Sequence, residues 1–384
     1  MEYPPGDGKM EEENKKFQVA KDLYHIESSG SPAKIGASYS SVFRTKLEKA
    51  VSVSNRALDA RFDKCKIAFA IEQIGANFKK NFSYLWEELE SISKGSGIPL
   101  IDLQKHILSA GVGAFINSDN GCTDIIFPKS DVGPLLGKTH DATSSVLDIA
   151  VIRLIRHESL NHILCVTRID GFSTMTGLND KGLAVGEASI HFYPVNKSGT
   201  IRNLLLRPLL HECSNVQEAV KFLADHPPLS AGFLFALVDE SGNAAIVERS
   251  PLKQNVIWSK GEVIFCTNHT ASPSMRKLEK SRGEKGDRNS DSRYKNLVKL
   301  TGTNEFKFTL ESLIKILKFH DIAGGICQHG DPEYKGEKQA FYPMITLRAF
   351  INIVSEKRLL VSNGNPCTNE YYDFGLNNNN DTVR

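Results

Sequence analysis

A change of character at residue 122 constrains this chain more than any other feature. From Pro32 to about Ala110 it reads as helix: Ile35, Tyr39, Phe43 and Leu47 keep one face, and Phe78, Phe82, Leu85 and Leu89 do so later. Within that third, the run from Ser96 to Leu103 restarts a helix after a turn. From Cys122 onward, short runs rich in branched residues predict strands at Thr123–Phe127, Leu135–Thr139, Leu147–Ile155 and Ile163–Ile169. Gly177–Val185 predicts a turn feeding a strand, and Ala231–Arg249 a hairpin around Asp239-Glu-Ser-Gly242. A strand pair turning at Lys260-Gly261 is expected within Val256–Asn268, and a final hairpin from Met344–Val354 and Lys357–Ser362. Phe17–Ile26 reads as one early strand. Helices recur in two blocks, Thr200–Asp225, with Asn215 and Glu218 as a capping signal, and Thr309–Phe319. The mixed-charge stretch Arg276–Asn289 reads as a mobile surface loop, because acidic residues interleave with the basic ones. Helices around many strands fit two stacked sheets covered by helices. Residues 1–16 and 376–384 predict disordered tails.

Charge narrows the partners. The 384 residues carry a net charge of +2, too balanced for a nucleic acid or an anionic membrane. No apolar run is long enough to span a bilayer. Neither a secretory signal nor an Arg-rich transit peptide is visible, and the last residues carry no lipidation or retention signal. Seven widely spaced cysteines, an odd number, argue against a disulfide framework and for reduced thiols in a cytoplasmic setting. No C-x-x-C occurs, so no metal or cofactor is expected. His211-Glu-Cys213 and Cys327-Gln-His329 come closest to ligand pairs. They read as packing or surface residues unless two further ligands converge on them.

The chemistry gathers around Gly121-Cys122. If the bond between them is cut, Cys122 becomes the first residue of a new chain. An α-amino group titrates near pH ~7.7–8.0, so it can take the proton of its own thiol. The thiol would attack the Gly121 carbonyl, and water would hydrolyse the resulting thioester. Gly at 121 suits the strained backbone such a shift requires. Downstream, Asn268 is a candidate oxyanion donor at a strand end, and Asp141 a candidate anchor for the new ammonium. Taken singly, each has a plainer reading: Asp141 as a turn residue, Asn268 as a cap, and Cys122 as a buried thiol.

Order and context change that balance. Gly-Cys-Thr, Gly-x-Thr-x-Asp, Gly-Leu-Asn-x-x-Gly-Leu-Ala-Val, Thr-Asn-His and Ser-Arg (292–293) follow one another. From about Gly30 to about Asn369 the chain resembles the acyl-coenzyme A:6-aminopenicillanic acid acyltransferase family of N-terminal-nucleophile hydrolases. The resemblance implies an α+β fold, a four-layer αββα sandwich. It also implies self-cleavage into a mainly helical small subunit (17–121) and a large subunit (122–375) that stay together, with Cys122 as nucleophile, Asp141 as active-site acid and Asn268 as oxyanion donor. Arg293 matches a family Arg near the site; its plainer reading is a surface salt bridge.

Cut position and length are most similar to family members that hydrolyse β-alanyl amines. These free dopamine from N-β-alanyldopamine and histamine from carcinine. On that reading Glu187 and Asp291 are candidate carboxylates for the substrate ammonium, and two processed heterodimers could associate. Thr139 replaces the Asn that many relatives carry two residues before the Asp. The segment Ile326–Glu333 lacks the basic stretch of the fungal acyltransferases, which argues against penicillin or coenzyme A. The rivals are an acyl-coenzyme A-dependent transferase on the same fold and an uncleaved binding protein with an inert Cys122. A papain-type thiol protease lacks a paired histidine context around His140 or His269.

Overall fold

A computed structural model describes residues 17–112, 121–143, 149–193, 199–200, 204–228, 232–303, 305–321, 324–330, 344–377 and 382–383. The expected tail at 1–16, the stretch 115–120 before the cut and residues 331–333 lie outside them.

The chain opens with strands β1 (Gln18–Ala20) and β2 (Leu23–Gly30). The single early strand predicted from sequence is thus a hairpin, broken where Asp22 takes a positive φ of 57°. Four helices follow: α1 (Pro32–Arg61), α2 (Lys64–Asn81), α3 (Ser83–Ser96) and α4 (Leu100–Val112). Ser31 caps α1 by accepting from the Lys34 N–H, with Pro32 at the first helical position. Gly36 is needed because α3 lies so close that a Cβ there would meet the Glu88 carbonyl at 2.5 Å.

The strand-rich part runs β3 (Gly121–Phe127), β4 (Leu135–Thr143), β5 (Ala150–His157), β6 (Ile163–Arg168), β7 (Thr174–Asn179) and β8 (Leu183–Ile190). Helices α5 (Leu206–Glu212) and α6 (Val216–Asp225) come next, and Asn215 caps α6 through the Glu218 N–H as expected. Then follow β9 (Gly232–Asp239), β10 (Ala244–Arg249), β11 (Gln254–Trp258), β12 (Ile264–Cys266), and helices α7 (Pro273–Arg276), α8 (Glu284–Thr301) and α9 (Leu310–Leu317). Strands β13 (Met344–Ile353), β14 (Arg358–Ser362), β15 (Tyr371–Gly375) and β16 (Thr382–Val383) complete the chain.

These strands form two sheets. One has nine strands, β1-β2-β5-β6-β7-β8-β9-β10-β11, and the other seven, β12-β3-β4-β13-β14-β15-β16. Every pairing is antiparallel except β2 with β5. Side-chain alternation separates three apolar layers. Ile35, Tyr39, Phe43, Phe82 and Leu89 pack with Val151, Ile155, Val185 and Phe235 between the first six helices and the nine-stranded sheet. Cys122, Ile126, Leu136, Ile152, Val166, Leu234 and Phe350 lie between the sheets. Ile125, Phe127, Leu135, Leu297, Leu313 and Ile351 fill the space under α8 and α9. The four-layer αββα sandwich is therefore the observed fold.

Four further local expectations need correction. β11 and β12 are not a pair: β11 pairs with β10 and β12 with β3, so Ser259–Val263 carries the chain from one sheet to the other. The second half of the mixed-charge stretch is helical, since α8 starts at Glu284. The β13–β14 hairpin is not the last, because β15 and then β16 extend its sheet. Thr382 and Val383, expected in a disordered tail, pair with β15; 378–381 lie outside the described residues. No described helix is long and apolar enough to cross a membrane.

Segments on either side of residue 121 are interlocked. β2 runs parallel to β5 over eight residue pairs. Glu88 of α3, 1% exposed, meets Arg153 of β5 at 3.0 Å and both guanidinium nitrogens of Arg207 of α5, the closer at 2.5 Å. Burial alone would raise the Glu88 pKa, but Arg207 and Arg153 more than offset it and hold the carboxyl below its usual range. Removing one member leaves buried charge uncompensated. Glu88→Ala is therefore expected to cost about 3–5 kcal/mol in urea unfolding. Glu27→Ala, which breaks the partly exposed pair with Arg156, should cost no more than ~1 kcal/mol.

Candidate active site

β3 and β4 set the register of the site. Gly121 stands opposite Asp141, and Cys122 opposite His140. Alternation then sorts the groups. Cys122 joins the apolar layer between the sheets, whereas Ile125 and Phe127 face the helices. Gly121 and Asp141 share the helix-side face. A Cβ on Gly121 would lie 3.0 Å from the Asp141 Oδ2 and 3.2 Å from its Cβ. Gly121 is not among the glycines at positive φ. Its lack of a side chain serves the close approach of Asp141, and not the strained backbone expected from sequence.

Asn268 follows β12, which pairs with β3. Its Oδ1 accepts from the Cys122 N–H at 3.0 Å, and its Nδ2 donates to the Ser189 carbonyl at 2.9 Å. Those two partners fix which end of the amide points where. Arg293, fully buried, crosses this pair. Nη1 donates to the Cys122 carbonyl at 2.5 Å and Thr123 Oγ1 at 2.9 Å, Nη2 to Asn268 Oδ1 at 2.6 Å, and Nε to Asn289 Oδ1 at 2.9 Å. The surface salt-bridge reading of Arg293 is thus wrong. Asp141, also fully buried, accepts from Thr346 Oγ1 at 2.7 Å and Gln328 Nε2 at 2.8 Å.

The electrostatics of the thiol side went unread in the sequence. Asp124 and Lys138, both fully buried, oppose each other across β3 and β4 with Nζ 3.5 Å from Oδ2, and Lys138 donates to the Glu187 carbonyl. Burial pushes the Cys122 thiol up to about 11; Lys138 pulls it down, while Glu187, Asp124 and Asp141 push it further up. Burial likewise lifts Asp124 to about 7 against the pull of Lys138. Burial raises Asp141, opposed by Arg293, Thr346 and Gln328. His140 is held neutral, well below its usual value, by burial and then by Arg168, Lys138 and Arg348. The signal was available: Asp124 lies two residues after Cys122, on the same strand face.

Of the expected residues, Gly121, Cys122, Asp141, Asn268 and Arg293 come together, and Glu187 lies close enough to act on the thiol. Asp291 does not join them. It is half-exposed, 3.4 Å from Arg276 and 3.5 Å from His269. Sequence reasoning also missed the inner face of α8, where Asn289 donates to Gln328 and Ser290 accepts from the Asn268 N–H. These polar residues recur with Arg293 at helical spacing, a pattern that apolar periodicity does not register.

A cavity of about 290 Å³ lies among α2, α3 and α4, lined by Ile71, Gly75, Lys79, Trp86 and Gln104. It belongs to the helical layer and not to Cys122. For Cys327 and His329 the stated exception holds. His320 and Cys367 converge on them, with all four ligand atoms within 4.8 Å of one another. No such gathering forms around His211 and Cys213 among the described residues.

A search of curated proteins finds no match. Among solved structures, the chain is similar to a mutant conjugated bile acid hydrolase from Clostridium perfringens, at 13% identity and a TM-score of 0.43, covering 68% of this chain and 96% of that one. It is also similar to penicillin V acylase from Agrobacterium tumefaciens (15%, 0.38, covering 66% and 86%). A third is the Caenorhabditis elegans ortholog of N-acylethanolamine-hydrolyzing acid amidase (14%, 0.41, covering 61% and 93%). A family model described as acyl-coenzyme A:6-aminopenicillanic acid acyl-transferase matches residues 128–339, more than half of the chain. The match begins just after β3 and takes in Asp141, Asn268 and Arg293, so the chain belongs to that family.

Proposed function

We propose that this protein is a self-processing cysteine amidohydrolase that cleaves linear amides, with β-alanyl amides of biogenic amines as its substrates. The observation that carries this reading is the grip on Cys122 from both sides of its backbone. Asn268 accepts from its nitrogen and Arg293 donates to its carbonyl, while the bond to Gly121 lies beside Asp141.

In maturation, Cys122 Sγ bonds to the Gly121 carbonyl carbon, the peptide C–N bond breaks, and the freed nitrogen takes up the thiol proton. Water then hydrolyses the thioester, leaving a Gly121 carboxylate and an α-amino group on Cys122. With its thiol pushed up to about 11, Cys122 needs a base at neutral pH, and the low pKa of His140 makes that ring a poor one. The freed amine supplies the base for later turnovers. The thiolate attacks the substrate amide carbonyl, the amine leaves with the proton, and water hydrolyses the acyl-enzyme. In the uncut chain Asn268 holds the Cys122 nitrogen as an acceptor. An oxyanion role requires its Nδ2–H to turn from the Ser189 carbonyl to the substrate. The acidic groups Glu187 and Asp124 on the thiol side suit an acyl group that bears an ammonium.

The family's description favours a second reading, transfer from an acyl-coenzyme A donor. Purified protein incubated with N-β-alanyldopamine or carcinine, with and without coenzyme A, separates the two. Release of β-alanine without coenzyme A is expected; turnover only with an acyl-coenzyme A donor would favour transfer.

Intact mass under denaturing, reducing conditions should show no 42.5 kDa chain, but two fragments, one beginning at Cys122. Cys122→Ala should remain whole and inactive; an active, uncut Cys122→Ala protein would rule the mechanism out. A Lys cannot fork to the acceptors that Arg293 reaches. Arg293→Lys is therefore expected to slow cleavage by roughly 100-fold while leaving the circular dichroism spectrum unchanged. Thiolate attack also implies cleavage that speeds up about tenfold per pH unit through neutrality, because the thiol titrates only near 11. A pH-independent rate would contradict it.

A further inference from the structure

We propose that Cys327, His329, His320 and Cys367 form a structural zinc site that anchors the segment carrying Gln328. The four come from three places: His320 just after α9, Cys327 and His329 from the segment before β13, and Cys367 from the turn after β14. Their separations are short enough for ligands of a single ion. The two Sγ atoms are 3.7 Å apart, and His329 Nε2 lies 3.6 Å from Cys327 Sγ, 3.3 Å from Cys367 Sγ and 3.0 Å from His320 Nε2.

A tetrahedral zinc with Zn–S of about 2.3 Å and Zn–N of about 2.0–2.1 Å requires edges of roughly 3.8 Å for S···S, 3.6 Å for S···N and 3.3 Å for N···N. Four of the six edges agree to within about 0.3 Å, and the two from His320 to the sulfurs lie within 4.8 Å. Hydrogen bonds of the thiols and imidazoles could account for these edges one by one, but do not require four ligand atoms to gather at one point. A disulfide would require the sulfurs at about 2.05 Å. Two thiolates and two imidazoles in a tetrahedron select zinc among common divalent ions. Four protein ligands fill the coordination sphere, which marks a structural site and not a catalytic one. Binding Zn²⁺ releases the two thiol protons.

The surroundings support the ligands. Asn365 Nδ2 donates to Cys327 Sγ at 3.6 Å and to the Gln328 carbonyl at 2.8 Å, which orients the Cys327 sulfur. Gln328, between two ligands, accepts from Asn289 and donates to Asp141. The metal thus holds in place the amide that holds the Asp141 carboxylate. This inference is independent of the amidohydrolase reading, since it concerns the folded chain and not a substrate.

The test is the metal content of the full chain purified without chelator. About one zinc per chain is expected by elemental mass spectrometry. After chelation, Co²⁺ should give the visible bands of a tetrahedral thiolate site. The unfolding temperature should fall on chelation and recover with Zn²⁺. Cys367→Ser and His320→Ala should lose most of the metal, whereas Cys65→Ser, an exposed cysteine elsewhere, should keep it. If the variants fail to fold, the Co²⁺ spectrum of the wild-type chain decides. Wild-type protein that neither holds zinc nor takes up Co²⁺, or that carries a Cys327–Cys367 disulfide, would overturn the proposal.

Discussion

Arg293 is a guanidinium with no exposed surface, whose hydrogen bonds run to neutral acceptors: the Cys122 carbonyl, Thr123 Oγ1, Asn268 Oδ1 and Asn289 Oδ1. Burial lowers its pKa to about 10, with the nearby Asp141 carboxylate opposing that loss. A charge taken this far from water is tolerable only when its donors are satisfied. That requirement shapes the surroundings. α8 must present polar residues inward, β12 must bring Asn268 alongside β3, and the Cys122 peptide must lie within the fork. One side chain thereby ties a helix, a strand end and the candidate nucleophile into one rigid unit.

Strand alternation supplies the second constraint. β3 and β4 are covered on both faces, so each residue commits to one of two buried environments. Cys122 falls between the sheets, where Lys138 and Asp124 lie in its field. Asp141 falls under the helices, where Gln328 and Thr346 hold it. Thiol and anchor therefore approach the Gly121–Cys122 peptide from opposite sides. This division of labour follows from a period of two and a register of one residue.

Much of the fold was legible because its elements are strongly patterned. The i, i+4 stripe of Ile35, Tyr39, Phe43 and Leu47 marks α1, and the Asp239–Gly242 turn marks the β9–β10 hairpin. Other elements gave no local signal. β11 and β12 look like a hairpin until their partners are known, because sheet membership is decided by long-range pairing. The first half of α8 resembles a solvated loop because its buried face is Gly286, Asn289, Ser290 and Arg293. The site residues were found by their order along the chain, which carried no information on where Asn268 points.

The sequence by itself determined the elements with clear periodicity, the helical first third and strand-rich remainder, and the identities of Cys122, Asp141, Asn268 and Arg293 as residues with chemistry to offer. Those properties depend on neighbours within a turn or two, or on side-chain type alone. Only the tertiary structure decided that Arg293 is buried against Cys122, that Asp291 is turned toward Arg276 and His269, and that Asp124 and Lys138 meet beside the thiol. It alone brought His320 and Cys367 to Cys327 and His329. Such contacts join residues far apart in the chain, and they form only when packed layers and strand register bring their backbones together.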